Sequence, residues 1–178
     1  MKKVFDEIPY IEGEHIILKK VEKEDADRLD QMRKNKKVNK YLPTFLFEKK
    51  YDDINEVIDK LYTECFNESI IMGIYDKADM RFCGLGEFYG YKDNIHKISV
   101  GARFLEEECG KGFGTETARL MVDYLCNETD IEIITASIMK DNIASRRAIE
   151  KAGFTLVTDS SKEDFGFDEP VDVTKWIY

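Results

Sequence analysis

Apolar and polar positions change their period several times along the chain, and the changes mark out its elements. His15 to Val21 is a short apolar run that predicts a first strand, and Glu22 to Arg33 follows with Ala26, Leu29 and Met32 on one narrow helical face. The residues before it, Met1 to Glu14, show little periodicity. From Tyr51 to Phe66, the positions Ile54, Val57, Ile58, Leu61 and Cys65 recur at the i, i+3, i+4, i+7 spacing of an amphipathic helix. Between these helices lie a basic cluster, Lys34 to Lys37, and an aromatic turn, Tyr41 to Phe47, where Pro43 forbids a continuous helix.

The second half alternates strands and helices. Ile70 to Tyr75 and Phe82 to Tyr89, separated by the polar turn Asp76 to Asp79, predict a hairpin, and Ile95 to Leu105 predicts a third antiparallel strand. A glycine-rich stretch, Cys109 to Glu116, then opens a helix from Thr115 to Cys126. That helix carries Ala118, Met121, Val122 and Leu125 on one face and Glu116, Arg119 and Asp123 mostly on the other. Ile131 to Met139 is a strand, Asn142 to Ala152 a helix ended by Gly153, and Phe154 to Val157 a further strand. Ser160 to Glu169 is polar and predicts a surface loop; Val171 to Tyr178 closes the chain as a strand. Such mixing of elements is that of an α+β domain.

Composition narrows the function classes. A length of 178 residues with 43% hydrophobic residues favours one domain with a sizeable core. The formal charge of −9 argues against nucleic acid as a partner; it suits a cationic substrate, although ordinary solubility charge has the same sign. Four scattered cysteines and two histidines do not form a zinc set, so no metal is expected. They read as reduced thiols, mostly buried, of an intracellular protein. Without a signal-like segment or an apolar run of about 18 residues, the expected location is the cytoplasm, with no membrane partner.

The stretch Cys109-Gly110-Lys111-Gly112-Phe113-Gly114-Thr115 joins a strand to a helix start, where unsatisfied N–H groups and the helix dipole favour an anion. By itself it is equally a glycine-rich turn. A Walker loop needs Ser or Thr directly after the lysine, and Gly112 stands there; the dinucleotide fingerprint needs glycine where Thr115 stands. The loop, followed by Asn142-Ile143-Ala144-Ser145 and Glu150-Lys151-Ala152-Gly153-Phe154, resembles the GNAT superfamily of acetyl-CoA-dependent N-acetyltransferases. Within it, the likeness is to the ribosomal-protein N-terminal (RimJ/RimL-like) branch.

That resemblance implies a single-domain GNAT fold over residues 10–178, after an N-terminal segment of residues 1–9. Its centre would be a mostly antiparallel twisted sheet of about seven strands flanked by helices. Acetyl-CoA would be the co-substrate and a small amine or a protein N-terminus the acceptor, in a monomer or homodimer. The N–H groups of Cys109, Gly110, Lys111, Gly112, Phe113, Gly114 and Thr115 would hold the pyrophosphate, and Phe104 and Leu105 would pair with the pantetheine arm. Asn142 would touch that arm, or simply cap its helix, and Ser145 would approach the sulfur, or simply be a first-turn hydroxyl.

The chain departs from the family at Cys109, where Gln or Arg is usual, at Ile149, where a tyrosine acid often stands, and at Ser137, where some members carry a glutamate base. Lys111 is expected to compensate in part at the phosphates, and Glu106 to Glu108 to form a solvated turn. Acetyl transfer requires a deprotonated amine, an oxyanion donor and a proton for the departing thiolate. A backbone N–H near Phe104 and Leu105 is the candidate oxyanion donor, Ser145 the candidate donor to sulfur, and Glu87 the candidate base, unless Glu87 simply faces outward from its strand. Cys109 as a nucleophile is discounted, since no histidine lies near it in sequence. A non-catalytic acyl-CoA-binding module is the competing class, suggested by Ile149 and Ser137.

Overall fold

A computed structural model of the chain describes residues 5–41 and 50–178; the aromatic turn beyond Tyr41 lies outside them. The elements are β1 (Ile11–Glu12), β2 (Ile16–Lys19), α1 (Ala26–Lys34), α2 (Ile54–Leu61), β3 (Ile70–Asp76), β4 (Arg81–Lys92) and β5 (Lys97–Phe104). They continue with α3 (Phe113–Glu128), β6 (Ile133–Met139), α4 (Ile143–Lys151), β7 (Thr155–Glu163) and β8 (Val171–Ile177). The strands form one 8-stranded sheet in the order β1-β2-β3-β4-β5-β6-β8-β7, antiparallel throughout except for β5 and β6.

The sheet separates two cores. Along β3, Ile70, Met72 and Ile74 enter the core that Met121, Val122 and Leu125 of α3 and Ile149 of α4 complete. Ile71 and Tyr75 enter the other, with Leu29 and Met32 of α1 and Ile58 and Leu61 of α2. Successive strand residues point to opposite faces, so a strand covered on both sides must be apolar throughout. This is why β3 reads as a continuous apolar run.

Three local differences from the sequence pattern have physical reasons. The additional strand, β1, is only two residues long and shows no period. Ser160 to Glu163, expected as loop, continue β7 opposite Val171 to Val173; β7 is an edge strand, and polar side chains are what an edge carries. Glu116, expected on the solvent side of α3, accepts hydrogen bonds from the His15 and Ile16 N–H groups at 2.8 and 3.3 Å. Its other oxygen lies 3.0 Å from His15 Nδ1. Gly13 makes room for this tie, because a Cβ there would stand 2.5 Å from Glu116 Oε1. Before β1, the Phe5 ring packs edge-on against Phe66 and Tyr91.

Candidate active site

β5 and β6 pair only from Lys97 to Ser99 and from Ile133 to Thr135. Beyond that point β5 stays with β4 as far as Phe104, and β6 stays with β8 as far as Met139. The two strands part like a V, whose apex is closed by Ser99 Oγ and Thr135 Oγ1, 2.8 Å apart. A cavity of about 1110 Å³ occupies the gap, lined by Val100, Gly101 and Ala102 on one edge and Ala136 to Met139 on the other. Strand edges without a strand partner offer backbone donors and acceptors that an extended ligand can pair with.

The glycine loop forms the outer end of this cavity. Gly110 and Gly112 have φ of +81° and +88°, a region that side-chain-bearing residues rarely adopt. With that bend, the N–H groups of Gly110 through Gly114 find no backbone acceptor among the described residues, while the Gly112 carbonyl accepts from Thr115 and Glu116. They form an array of donors at the positive end of the 16-residue helix α3, a site suited to phosphate. Gly114 has no such bend, and a Cβ there would lie at ordinary contact distance, 3.6 Å from Ala148 Cβ and 3.7 Å from Phe104 Cε2. Asn142 caps α4, its Oδ1 accepting from the Ser145 N–H at 3.2 Å. Asn142, Ala144, Ser145 and Ala148 all line the cavity, and small side chains on α4 keep it open.

The turn before the loop is a polar anchor. Glu108, expected in a solvated turn, is buried and accepts from Arg28 (3.0 Å), Arg81 (3.0 Å) and Lys111 (2.8 Å). Burial alone would raise its carboxyl, but the Arg81 and Lys111 hydrogen bonds outweigh it and hold the group at about 2. Lys111, expected to compensate at the phosphates, has Glu108 as its partner in the structure.

The opposite end of the cavity lies on the α1 and α2 face. Glu87 and Tyr89 of β4 stand opposite Gly101 and Ser99. Cys65 and Ser69 join them, Sγ and Oγ 3.2 Å apart, together with Glu64, Glu68 and Lys50. Glu64 is occupied by Lys60 (2.7 Å) and the Tyr51 hydroxyl (2.6 Å). Burial pushes the Tyr89 hydroxyl up to about 12; Glu87's charge adds to the rise and the Ser137 N–H opposes it. Burial also pushes the Cys65 thiol up, the Ser69 hydrogen bond opposing and Glu87 adding. Cys109 lines the loop end, and burial together with the charges of Glu106, Glu107 and Glu108 raises its thiol, which disfavours a nucleophilic thiolate. Among the described residues no group of three or more His, Cys, Asp or Glu could hold a metal.

Of the residues singled out in the sequence, Glu87, Cys109, Gly110, Gly112, Gly114, Thr115, Asn142 and Ser145 line one cavity. Phe113 is not among the lining residues; its side chain is in the core. Phe104 packs at Gly114. Leu105 is fully buried in the α1 and α2 core and its N–H donates to the Cys83 carbonyl at 2.9 Å. That N–H is not available to polarise a ligand, and the strand edge lining the cavity lies upstream, at Val100 to Ala102. Tyr89 and Gly101 went unnoticed in the sequence; a glycine inside a strand pattern signals close approach and could have drawn attention to Gly101.

Comparison with known proteins agrees with this geometry. A family profile described as "Acetyltransferase (GNAT) domain" matches residues 15–155. The probable N-acetyltransferase YjcK of Bacillus subtilis (strain 168) is 34% identical over 89 residues, 49% of each chain, so the match spans about half that relative's length. The solved structure of RimL, a ribosomal L7/L12 alpha-N-protein acetyltransferase in complex with coenzyme A, superposes with a TM-score of 0.78 at 14% identity, covering 96% of this chain and 97% of that one. The spermidine N-acetyltransferase of Vibrio cholerae in complex with CoA and spermine gives 0.74 at 18% identity, covering 92% and 95%. At these identities the structural likeness is one of fold. No helix among the described residues is long and apolar enough to cross a membrane.

Proposed function

Because the chain belongs to the GNAT acetyltransferase family, we propose that it moves the acetyl group of acetyl-CoA onto a small cationic amine, by direct attack and without an acyl-enzyme. One observation carries this proposal: a single cavity runs from the donor-lined loop, through the V between β5 and β6, to an end bearing Glu68 and Glu87. The loop suits a pyrophosphate, the strand edges suit an amide-bearing arm, and the far carboxylates suit a cation.

Each residue has a task in this scheme. The Gly110 to Gly114 N–H groups hold the phosphates, with Arg147 and Lys151 of α4 lining the same cavity. Val100 to Ala102 align the arm as an added strand would lie. Ser145, fixed at the first turn of α4, donates a hydrogen bond at the sulfur. An amine with a pKa of about 8 to 10 arrives protonated; Glu87 accepts that proton, directly or through a water, so that the nitrogen lone pair is free to attack. Residues 10–178 act as one catalytic domain, in the cytoplasm.

The test is thiol release from acetyl-CoA with a panel of polyamines, monoamines and N-terminal peptides. Turnover favouring the small cations is expected. Preference for the peptides would replace the amine by a protein N-terminus, the acceptor class named for RimL. Tight binding of acetyl-CoA with no turnover on any acceptor would overturn the catalytic proposal.

A further inference from the structure

Ile149, an α4 side chain at the cavity, has no proton to donate, yet a phenol lines the same cavity from a different element. Tyr89 leaves β4 on the face where Glu87 also stands, with its Cα opposite Ser99, the last β5 residue that pairs with β6. From there its ring leans along β5. A Cβ built on Gly101 would lie 3.4 Å from Tyr89 Cε1, so the ring edge passes over the residue that has no side chain to obstruct it. Ser137 of β6 lines the same cavity as Tyr89 and Gly101. The side chain thus starts on β4 and passes over Gly101 of β5 beside the gap that β6 borders on its other side.

We infer that the Tyr89 hydroxyl is a catalytic hydrogen-bond donor to the thioester carbonyl, set in the mouth of the V between Gly101 and Ser137. The donor direction follows from the surroundings. A phenol carries a single O–H donor, and Tyr89 lines the cavity into which that donor can be directed. Raised as it is, the hydroxyl stays protonated across the neutral range. No proton need leave the phenol; the bond strengthens as negative charge develops on the carbonyl oxygen, which is the condition for accelerating the step. Gly101 leaves the ring room, since a Cβ there would already be in van der Waals contact with it.

The inference rests on the acetyl-transfer proposal, and two measurements keep the two apart. Calorimetric titration with acetyl-CoA and with CoA needs no acceptor. Tyr89→Phe, which keeps the ring, should weaken acetyl-CoA binding by a few fold and leave CoA binding unchanged. With whichever acceptor the wild type turns over, the same variant should lower kcat by at least about tenfold, with the KM for acetyl-CoA raised by no more than the few fold seen in the titration. Equal affinities of wild type and Tyr89→Phe for acetyl-CoA would overturn the inference, as would a normal kcat. A parallel loss of affinity for both ligands would also overturn it, by assigning the hydroxyl to the shape of the gap. If the wild type turns over no acceptor, the function proposal fails while the paired titration still decides on Tyr89.

Discussion

Lys111 donates to Glu108 at 2.8 Å, three residues behind it, so the cation of the glycine loop already has a carboxylate partner. On the proposed function, phosphate binding then rests on the loop's backbone N–H groups, with Arg147 and Lys151 of α4 lining the same cavity. Lys111→Ala is expected to change the Kd for acetyl-CoA by less than about threefold, in line with the small worth of a partly exposed ion pair. A tenfold loss in calorimetry would show that the lysine turns outward on binding.

Glu108 is a stability element with a defined pH window. Its folded-state carboxyl is held at about 2, below the ordinary 4.5. A depressed acid stabilises the fold fully above the ordinary value and loses that contribution as pH falls from there to about 2. Glu108→Gln should therefore cost about 3 kcal/mol near neutrality. Denaturant titrations should show this gap at pH 7 and a much smaller one at pH 2.5; an undiminished gap at low pH would contradict the assignment.

Two glycines of the loop should respond differently to the same change. Alanine at Gly112 must adopt a φ of +88°, with about 1 to 2 kcal/mol of strain, and re-aims the donor array. Gly112→Ala should weaken acetyl-CoA binding about tenfold. Alanine at Gly114 meets Ala148 and Phe104 only at ordinary contact distance, 3.6 and 3.7 Å. Its affinity should stay within about twofold, and reversal of the order would refute the assignment of Gly112 as the conformational glycine.

Turnover separates the two polar residues proposed for chemistry. Glu87→Gln should lower kcat about a hundredfold if the carboxylate takes the amine's proton. Ser145→Ala should lower it by a smaller factor, about tenfold, because a serine hydroxyl is too weak an acid to do more than position and hydrogen-bond. Near-normal turnover in either variant removes that residue from the mechanism.

Gly84 is a structural test of the V. A Cβ there would stand 2.2 Å from the Arg103 carbonyl oxygen, a backbone atom, so β4 and β5 would have to separate. Gly84→Ala is expected to cost about 2 to 4 kcal/mol by thermal or denaturant unfolding. Wild-type stability would mean that the two strands tolerate a wider spacing than the register implies.

The elements of the fold were readable because their periods are local properties: the α2 spacing of Ile54, Val57, Ile58 and Leu61 needs no knowledge of the sheet. Loop and α4 motifs were legible for the same reason, each being a contiguous run. What stayed hidden depends on distant partners. Glu108 sits in a run of three glutamates, and only the approach of Arg28 and Arg81 from α1 and β4 makes it a buried anchor. Likewise, the place where β5 and β6 part is a property of two strands separated by a helix. Phe104 and Leu105 are plain strand-end residues in the sequence; the parting at Ser99 moves the useful edge upstream.

The V is lined from both faces of the sheet, by Thr117, Ala118 and Met121 on the α3 side and by Cys65 and Ser69 on the other. On the proposed function, the nucleotide-bearing reactant and the amine would occupy opposite ends of one cavity, so that both could be bound together. A synthetic molecule with a phosphate-bearing end and a cationic end, joined by a tether thin enough to pass over Gly101, would then occupy both ends of the cavity at once. Linking the two ends would make the second contact intramolecular and raise affinity well beyond either half.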